Sequence, residues 1–356
     1  MDNLLTENII WNIVFILGSI ISLLIIFLKI VRIRIRAIEK SNHEYQIKIE
    51  QVLIEYLYAK NEGDDYVDIE NNIIKKDLRS KNKRRIITSI FLKLRQEVSG
   101  GLVANMGDLY EEIGLLYFAK KKLKSKKWNI IALGIRDLRL FRIEEIQDSI
   151  SNFINHSREE VRREAHLYFI EVFKFKGLSF LDDLKAPLSE WDQIMLLEHL
   201  KKFDDQEITD ITKWLSSKNE YTVLFILNLV QFFNRLETTD ALLDLLNHPK
   251  ELVRVRAIEL LSHFENLEAK EILKERCVTL SIKERKVFFS FLKKMATKDD
   301  TTFVLEYIKD EDFDVKHMAL QILNSINEEA FLLLDKKSDD EDYNKIIHFI
   351  KCSYGY

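Results

Sequence analysis

The side chains able to do covalent or metal chemistry are few in this chain, and their spacing does not suit it. Eight histidines are scattered through 356 residues without a His-Glu-x-x-His pattern, and Cys277 and Cys352 are the only cysteines. That spacing indicates no metal site, and two cysteines make no disulfide framework; they fit a reducing compartment. Gly100-Gly101 lacks the Lys and Ser or Thr of a phosphate loop and reads as a turn between helices, and no serine is framed by a nucleophile elbow. Recognition chemistry is better supplied. Cations cluster in two runs, Lys81 to Arg85 and Lys120 to Lys127, and Trp191 sits where a helix begins, placed either to staple two repeats or to anchor a partner. The expectation is a binding protein, not an enzyme, with no cofactor and no metal.

The elements that must position such residues are helices. Two Pro and nine Gly, against abundant Ile, Leu, Lys and Glu, leave too few turn residues for a strand-rich fold. The stretch from Ala241 to Phe264 is one complete helix–turn–helix unit. Leu242, Leu243, Leu245 and Leu246 lie on its first helix, Asn247-His248-Pro249 form the turn, and Val253, Ala257, Leu260, Leu261 and Phe264 follow at helical spacing on the second. Equivalents of Val253 fall at Val161, Asp192, Thr222, Glu284 and Val315, each followed four places on by an Ala or another apolar residue, and Trp128 with Ala132 reads as a displaced earlier copy. A period near 31 residues with two helices per unit signals an α-solenoid; an ordinary helical bundle has no reason to hold one period through six units.

The unit resembles a HEAT repeat. That family's Val-Arg pair opening the second helix, with Ala four residues on and Leu beyond, is met by Val253, Arg254, Ala257 and Leu261, and again by Val161-Arg162 and Val315-Lys316, whereas Asp192 and Thr222 put polar residues where the family has an aliphatic one. The resemblance implies an all-α, HEAT-like superhelix over residues 120–335, a binding role, and a concave surface lined by the second helices. Residues 3, 6 and 10 places after the Val253 position then give a candidate partner-binding stripe: Met195, Glu198 and Lys202, then Phe225, Asn228 and Phe232, then Arg256, Glu259 and His263. Phe225 and Phe232 read either as exposed anchors of a binding site or as filling between neighbouring second helices. HEAT-like enzymes of the deoxyhypusine hydroxylase family hold two irons with repeated His-Glu pairs. This chain has none, only Glu198-His199 in reverse order.

Ahead of the repeats, 21 residues from Asn8 to Leu28 carry no charge, and at about 1.5 Å per residue such a helix crosses a hydrocarbon core of about 30 Å. Asp2 and Glu7 precede it, while Lys29, Arg32, Arg34, Arg36 and Lys40 follow, which is the wrong order for a cleaved signal peptide. The positive-inside rule puts residues 1–7 outside, a transmembrane helix at 8–31, and the remainder in the cytoplasm beneath the inner (plasma) membrane. Residues 32–66 form a basic juxtamembrane segment and helical stalk, 67–119 an N-terminal cap with helices at 67–79, 83–98 and 103–118, and 336–356 a capping helix containing Ile346, Ile347 and Phe349. Residues 75–142 hold 18 Lys or Arg against 6 Asp or Glu, and residues 143–356 hold 29 against 41. Such a basic region could meet anionic lipid headgroups or an acidic protein, or be a solvated helix face; the anchor argues against nucleic acid. The function expected is a membrane-anchored cytoplasmic scaffold for a partner protein, the alternative an accessory subunit of a membrane complex such as an envelope polysaccharide synthase or a secretion machine.

Overall fold

The computed structural model describes residues 2–62, 74–97, 101–203, 210–334 and 340–354. Every regular element among them is helical. The chain divides into two compact units, residues 1–146 and 147–356. The boundary falls inside the expected run of repeats at 120–335.

In the first unit α1 runs from Asp2 to Glu62, followed by α2 (Lys81–Glu97), α3 (Gly101–Glu112), α4 (Leu115–Leu123) and α5 (Trp128–Leu140). From Phe15 to Ile30 every residue of α1 is exposed, so this helix, long and apolar enough to cross a membrane, has no protein cover there. Further along α1 packs on α2 and α3 and buries Ile49 and Leu53. Asn82 Nδ2 donates to Asn42 Oδ1 at 3.0 Å and Lys93 Nζ to Glu50 Oε1 at 2.6 Å, so α2 runs parallel to α1. The core holds Phe91, Tyr110 and Phe141, the last two stacked at 4.1 Å. The helix expected over 103–118 is two helices, because Gly114 adopts φ 90°, a left-handed conformation that glycine takes without a Cβ clash. Most of the helix expected over 67–79 lies outside the described residues. In α5 the buried aliphatic residues are Ile131, Ile135 and Leu138, while Trp128 is 39% exposed, so the register of this copy starts at Ile131 and not at Trp128.

The second unit is a stack of helix pairs. Its elements are α6 (Gln147–Ser151), α7 (Glu159–Phe173), a 3-10 segment (Lys174–Asp183), α8 (Glu190–Leu200), α9 (Thr212–Leu215), α10 (Glu220–Phe232), α11 (Thr239–Asp244), α12 (Glu251–His263), α13 (Leu267–Glu275), α14 (Ile282–Met295), α15 (Thr301–Tyr307), α16 (Phe313–Ile326), α17 (Glu328–Leu332) and α18 (Glu341–Tyr354). The long second helices α7, α8, α10, α12, α14, α16 and α18 each pack on the next, so the second helices form a continuous layer. The expected register is the one that is buried: Val161, Ala165, Tyr168 and Phe169 in α7 correspond to Val253, Ala257, Leu260 and Leu261 in α12 and to Val315, Ala319, Ile322 and Leu323 in α16. Tyr343, Ile346, Ile347 and Ile350 of α18 are buried where it packs on α16, with Phe349 turned outward at 60% exposure. The first helices are shorter and less regular. One is the 3-10 segment, held tight to α7 at Gly177, where an added Cβ would sit 2.0 Å from the Phe169 carbonyl oxygen.

Two of the polar residues at core positions, Asp192 and Glu284, take part in helix caps and also bridge repeats. Asp192 follows the N-cap Ser189, whose Oγ accepts from the Asp192 backbone N–H at 3.1 Å, and its carboxylate takes a hydrogen bond from Arg163 of the preceding second helix. Glu284 completes a capping box with Ser281 and is gripped by both arms of Arg254, with Nε to Oε1 at 2.5 Å and Nη2 to Oε2 at 3.2 Å. Arg254 Nη1 also donates to the His248 carbonyl at 2.8 Å, as Arg162 Nη1 does to His156 at the same distance, so the arginine of the Val-Arg pair ties off the turn before its own helix. Thr222, fully buried, donates its hydroxyl to the Leu181 carbonyl at 3.0 Å.

Candidate protein-interaction face

The outward side of the second-helix layer carries a shallow groove across α8, α10 and α12. Gln193, Ile194 and Leu197 come from α8, Leu224, Asn228, Gln231 and Phe232 from α10, and Leu252 and Arg256 from α12. Its polar side chains form a ladder between repeats. Asn228 Nδ2 donates to Gln193 Oε1 at 2.5 Å, Arg256 Nη2 donates to Asn228 Oδ1 at 2.8 Å and also to Gln231, and Arg256 Nη1 reaches Glu259 at 2.7 Å. The Phe232 ring is 39% exposed, edge-on to Phe233 at 5.1 Å, with Lys201 Nζ 5.8 Å from its centroid. This edge combines apolar surface with hydrogen-bonding groups already fixed in place.

Of the residues singled out from the sequence, Asn228, Phe232 and Arg256 come together in this groove. Glu198, Glu259 and His263 are exposed and Met195 is half-buried. Phe225 is corrected: it has no exposed surface and belongs to the core, so of the two readings offered for it only filling survives. At about 100° per residue, the groove positions centre roughly 60° from the expected stripe, which turned Phe225 toward solvent when that flank packs against a neighbouring helix. Ile194, Leu224 and Leu252 were missed. Trp191 is 60% exposed, which leaves it available to a partner and does not make it a staple.

An apolar residue opens five successive second helices: Trp191, Tyr221, Leu252, Ile282 and Phe313. Four are more than half exposed, at 60%, 62%, 52% and 51% for Trp191, Leu252, Ile282 and Phe313. A hydrophobic first or second residue contributes nothing to an N-cap, and the core-facing residue is the third, so burial does not account for this row. The signal was present in the sequence as an apolar residue one or two places before each core position.

Elsewhere in the second unit two ionisable groups are strongly shifted: the Tyr307 hydroxyl, pushed up by burial and by its contact with Cys277, and His166. His166 is 2% exposed, stacks on Phe180 at 4.7 Å and shares a hydrogen bond with the Ile154 carbonyl through Nε2 at 3.0 Å, leaving Nδ1 buried without a partner. Burial holds its pKa down at about 4. Glu284 and Asp300 lie below their ordinary values: burial works against both carboxylates, but Arg254 with Ser281 outweighs it for Glu284, and Lys274 with Thr297 and Lys270 for Asp300. These groups sit in cores and bridges. Among the described residues no three His, Cys, Asp or Glu side chains converge as metal ligands would.

No family model and no curated protein matches the chain. Solved structures do. An engineered protein is 13% identical, covering 79% of this chain and 87% of its own, with a TM-score of 0.34. A structure of tubulin recruitment and assembly by microtubule polymerases with tumor overexpressed gene (TOG) domain arrays is 15% identical, over 78% of this chain and 74% of its own, with a TM-score of 0.28. The complex of CpcE and CpcF of phycocyanin lyase from Nostoc sp. PCC7120 is 11% identical, over 82% and 96%, with a TM-score of 0.25. The architecture is identified by the chain's own recurring core positions: an all-α stack of helical repeats preceded by one long apolar helix.

Proposed function

We propose that this chain is a non-catalytic scaffold that spans the inner membrane through α1 and holds a partner protein on the cytoplasmic side with its second-helix face. The observation that carries the reading is the exposed apolar row from Trp191 to Phe313 beside the groove at Phe232. Neighbouring packed helices lie about 8–10 Å apart, and seven residues of a helix rise about 10.5 Å. A partner helix with an apolar residue every seventh position, laid across the stack, would meet one row residue per repeat. The cations following the apolar stretch of α1, Lys29, Arg32, Arg34, Arg36 and Lys40, support the orientation.

Two experiments test this. Protease added to intact cells should spare residues 44–356; digestion of the repeats with the membrane sealed refutes the orientation. Cross-linking and capture from membranes with the full chain should fail for Trp191→Ala combined with Leu252→Ala and Ile282→Ala at unchanged melting temperature, and undiminished capture refutes the face. A second reading, an accessory subunit whose α1 packs against a membrane-embedded enzyme or transporter, draws support from Gly18, which has open space around its α-carbon in the apolar stretch where another helix could approach closely. In that case a bulky residue at Gly18 would release the partner while the Trp191 variant would not.

A further inference from the structure

We propose that the cleft between α2, α4 and α5 of the first unit is a binding site for a small phosphate-bearing ligand with an apolar moiety. Its cations come from three helices: Lys81, Arg84 and Arg85 from the first turns of α2, Lys122 from α4, and Arg136 from α5. Thr88 offers a hydroxyl one turn further along α2, and Phe118 and Leu133 contribute to an apolar floor. The cavity, about 530 Å³, is of the size that small-molecule sites occupy.

What distinguishes this cluster from a solvated basic face is which of its charges are already matched. Nearby cations have partners: Lys83 meets Asp77 at 2.7 Å, Lys93 meets Glu50 at 2.6 Å, and Lys122 pairs with Asp137. Among the described residues Lys81, Arg85 and Arg136 make no ion-pair contact with a carboxylate, although the Arg136 charge acts on Asp137 beside it. Arg84 is fixed without being neutralised, since Nη1 donates to the Leu78 carbonyl at 2.8 Å and its guanidinium lies 4.1 Å from the Phe118 ring centroid. Arg136 Nε is buried and has no hydrogen-bond partner, a donor that an anionic oxygen in the cleft would satisfy. The one acidic group at the cleft, Asp137, is 1% exposed and already bonded to Lys122, and burial keeps its pKa above the usual carboxylate range. Three guanidinium forks around one cavity suit the tetrahedral, multiply charged oxygens of a phosphate group, and the apolar floor calls for a ligand that is not phosphate alone.

The phosphate could belong to a soluble metabolite or to a lipid headgroup, and geometry favours the soluble source. On the reading that α1 spans a membrane, Asn82 lies level with Asn42, 14 residues past Leu28, or about 21 Å along the helix. The headgroup layer accounts for about 5–8 Å of that, and the remainder exceeds a Debye length of about 8 Å.

The test uses the full-length chain and 4-methylumbelliferyl phosphate, a planar aromatic phosphomonoester, followed by fluorescence in neutral detergent and in phosphatidylcholine nanodiscs with and without phosphatidic acid. The wild type should bind saturably, with inorganic phosphate competing. Arg85→Gln with Arg136→Gln should weaken binding by about tenfold or more, equivalent to roughly 1.4 kcal/mol. Lys81→Gln, on the exposed rim, should weaken it several-fold without affecting melting and carries the decision if the double variant is unstable. Lys124→Gln with Lys126→Gln, outside the cleft, should leave affinity unchanged. Weaker probe binding in phosphatidic acid discs would assign the ligand to the lipid, and equal binding to a soluble phosphate; either supports the site. Absence of saturable binding in all three settings, or an equal loss in the Lys124 and Lys126 control, overturns it.

Discussion

Lowering the pH from 7.5 to 5 should destabilise the repeat unit through His166. In the unfolded chain this imidazole titrates near 6.5, whereas in the fold its pKa is held down at about 4 by burial between Phe180 and the Ile154 carbonyl. The charged form is the disfavoured one, so its stabilisation is complete above pH 6.5 and is lost as pH falls toward 4, because the unfolded chain binds a proton that the fold refuses. Integrated from pH 7.5 to 5, the difference between the two pKa values corresponds to about 2 kcal/mol. Glu284 and Asp300, held below their ordinary values, remain ionised at pH 5 and add nothing until the pH falls further. For a unit of this size about 2 kcal/mol is roughly 4–8 °C in melting temperature. The assay is thermal unfolding of the wild type and His166→Gln at both pH values. Glutamine keeps an N–H for the Ile154 carbonyl but cannot take up a proton, so the variant should lose markedly less between pH 7.5 and 5 whatever its starting stability. Equal losses in the two proteins would mean that His166 is not the buried neutral group described.

Other perturbations have equally definite outcomes. Arg254→Ala leaves the Glu284 carboxylate, 4% exposed, without its counterion, and should cost about 3 kcal/mol in denaturant unfolding; a loss below about 1 kcal/mol would demote the bridge to a surface pair. Ala257→Phe forces a ring into a position with no exposed surface between stacked helices and should cost about 1–3 kcal/mol, with unchanged unfolding placing that residue on the wrong side of α12. Gly177→Ala would bring a methyl against the Phe169 carbonyl and should prevent normal docking of the 3-10 segment, read as faster amide exchange in residues 174–183. Glu265, with φ 51°, takes a left-handed conformation without being glycine, so Glu265→Gly should stabilise by about 1 kcal/mol, and a destabilised variant would show that its side chain matters more than its backbone.

The second helices were legible because apolar residues had to recur on one face, and Val253, Ala257, Leu260 and Leu261 repeat that demand in every unit. Their start points, Glu159, Glu190, Glu220, Glu251, Ile282 and Phe313, keep the period near 31. The turns at their ends were not legible. Arg142, Asn234 and Glu265 all have φ 51° just past a phenylalanine, and the Arg235 and Asn266 amides bond back to the Val230 and Leu261 carbonyls at 3.0 Å, the pattern of a helix end for which glycine is the usual signal. Asp192 looked like a departure from a core pattern because one sequence position cannot show an arginine 29 residues away. The groove was displaced for a related reason: periodicity gives the buried side of a helix, but which flank its neighbours cover depends on how the helices cross, and Phe225 lay on the covered flank.

The bridges between successive second helices also constrain how such a chain can change length. Arg254 and Glu284 belong to different repeats, so a cut that keeps one and discards the other strands a charge. Deleting residues 223–253 would join Thr222 to Arg254 in register, preserving both the Arg163–Asp192 and Arg254–Glu284 contacts, whereas deleting residues 260–290, an equally long piece, would remove Glu284 and leave Arg254 facing whatever slid into its place. Loss of a repeat from this array therefore keeps every such charge paired at some breakpoints and strands a buried one at others a few residues away.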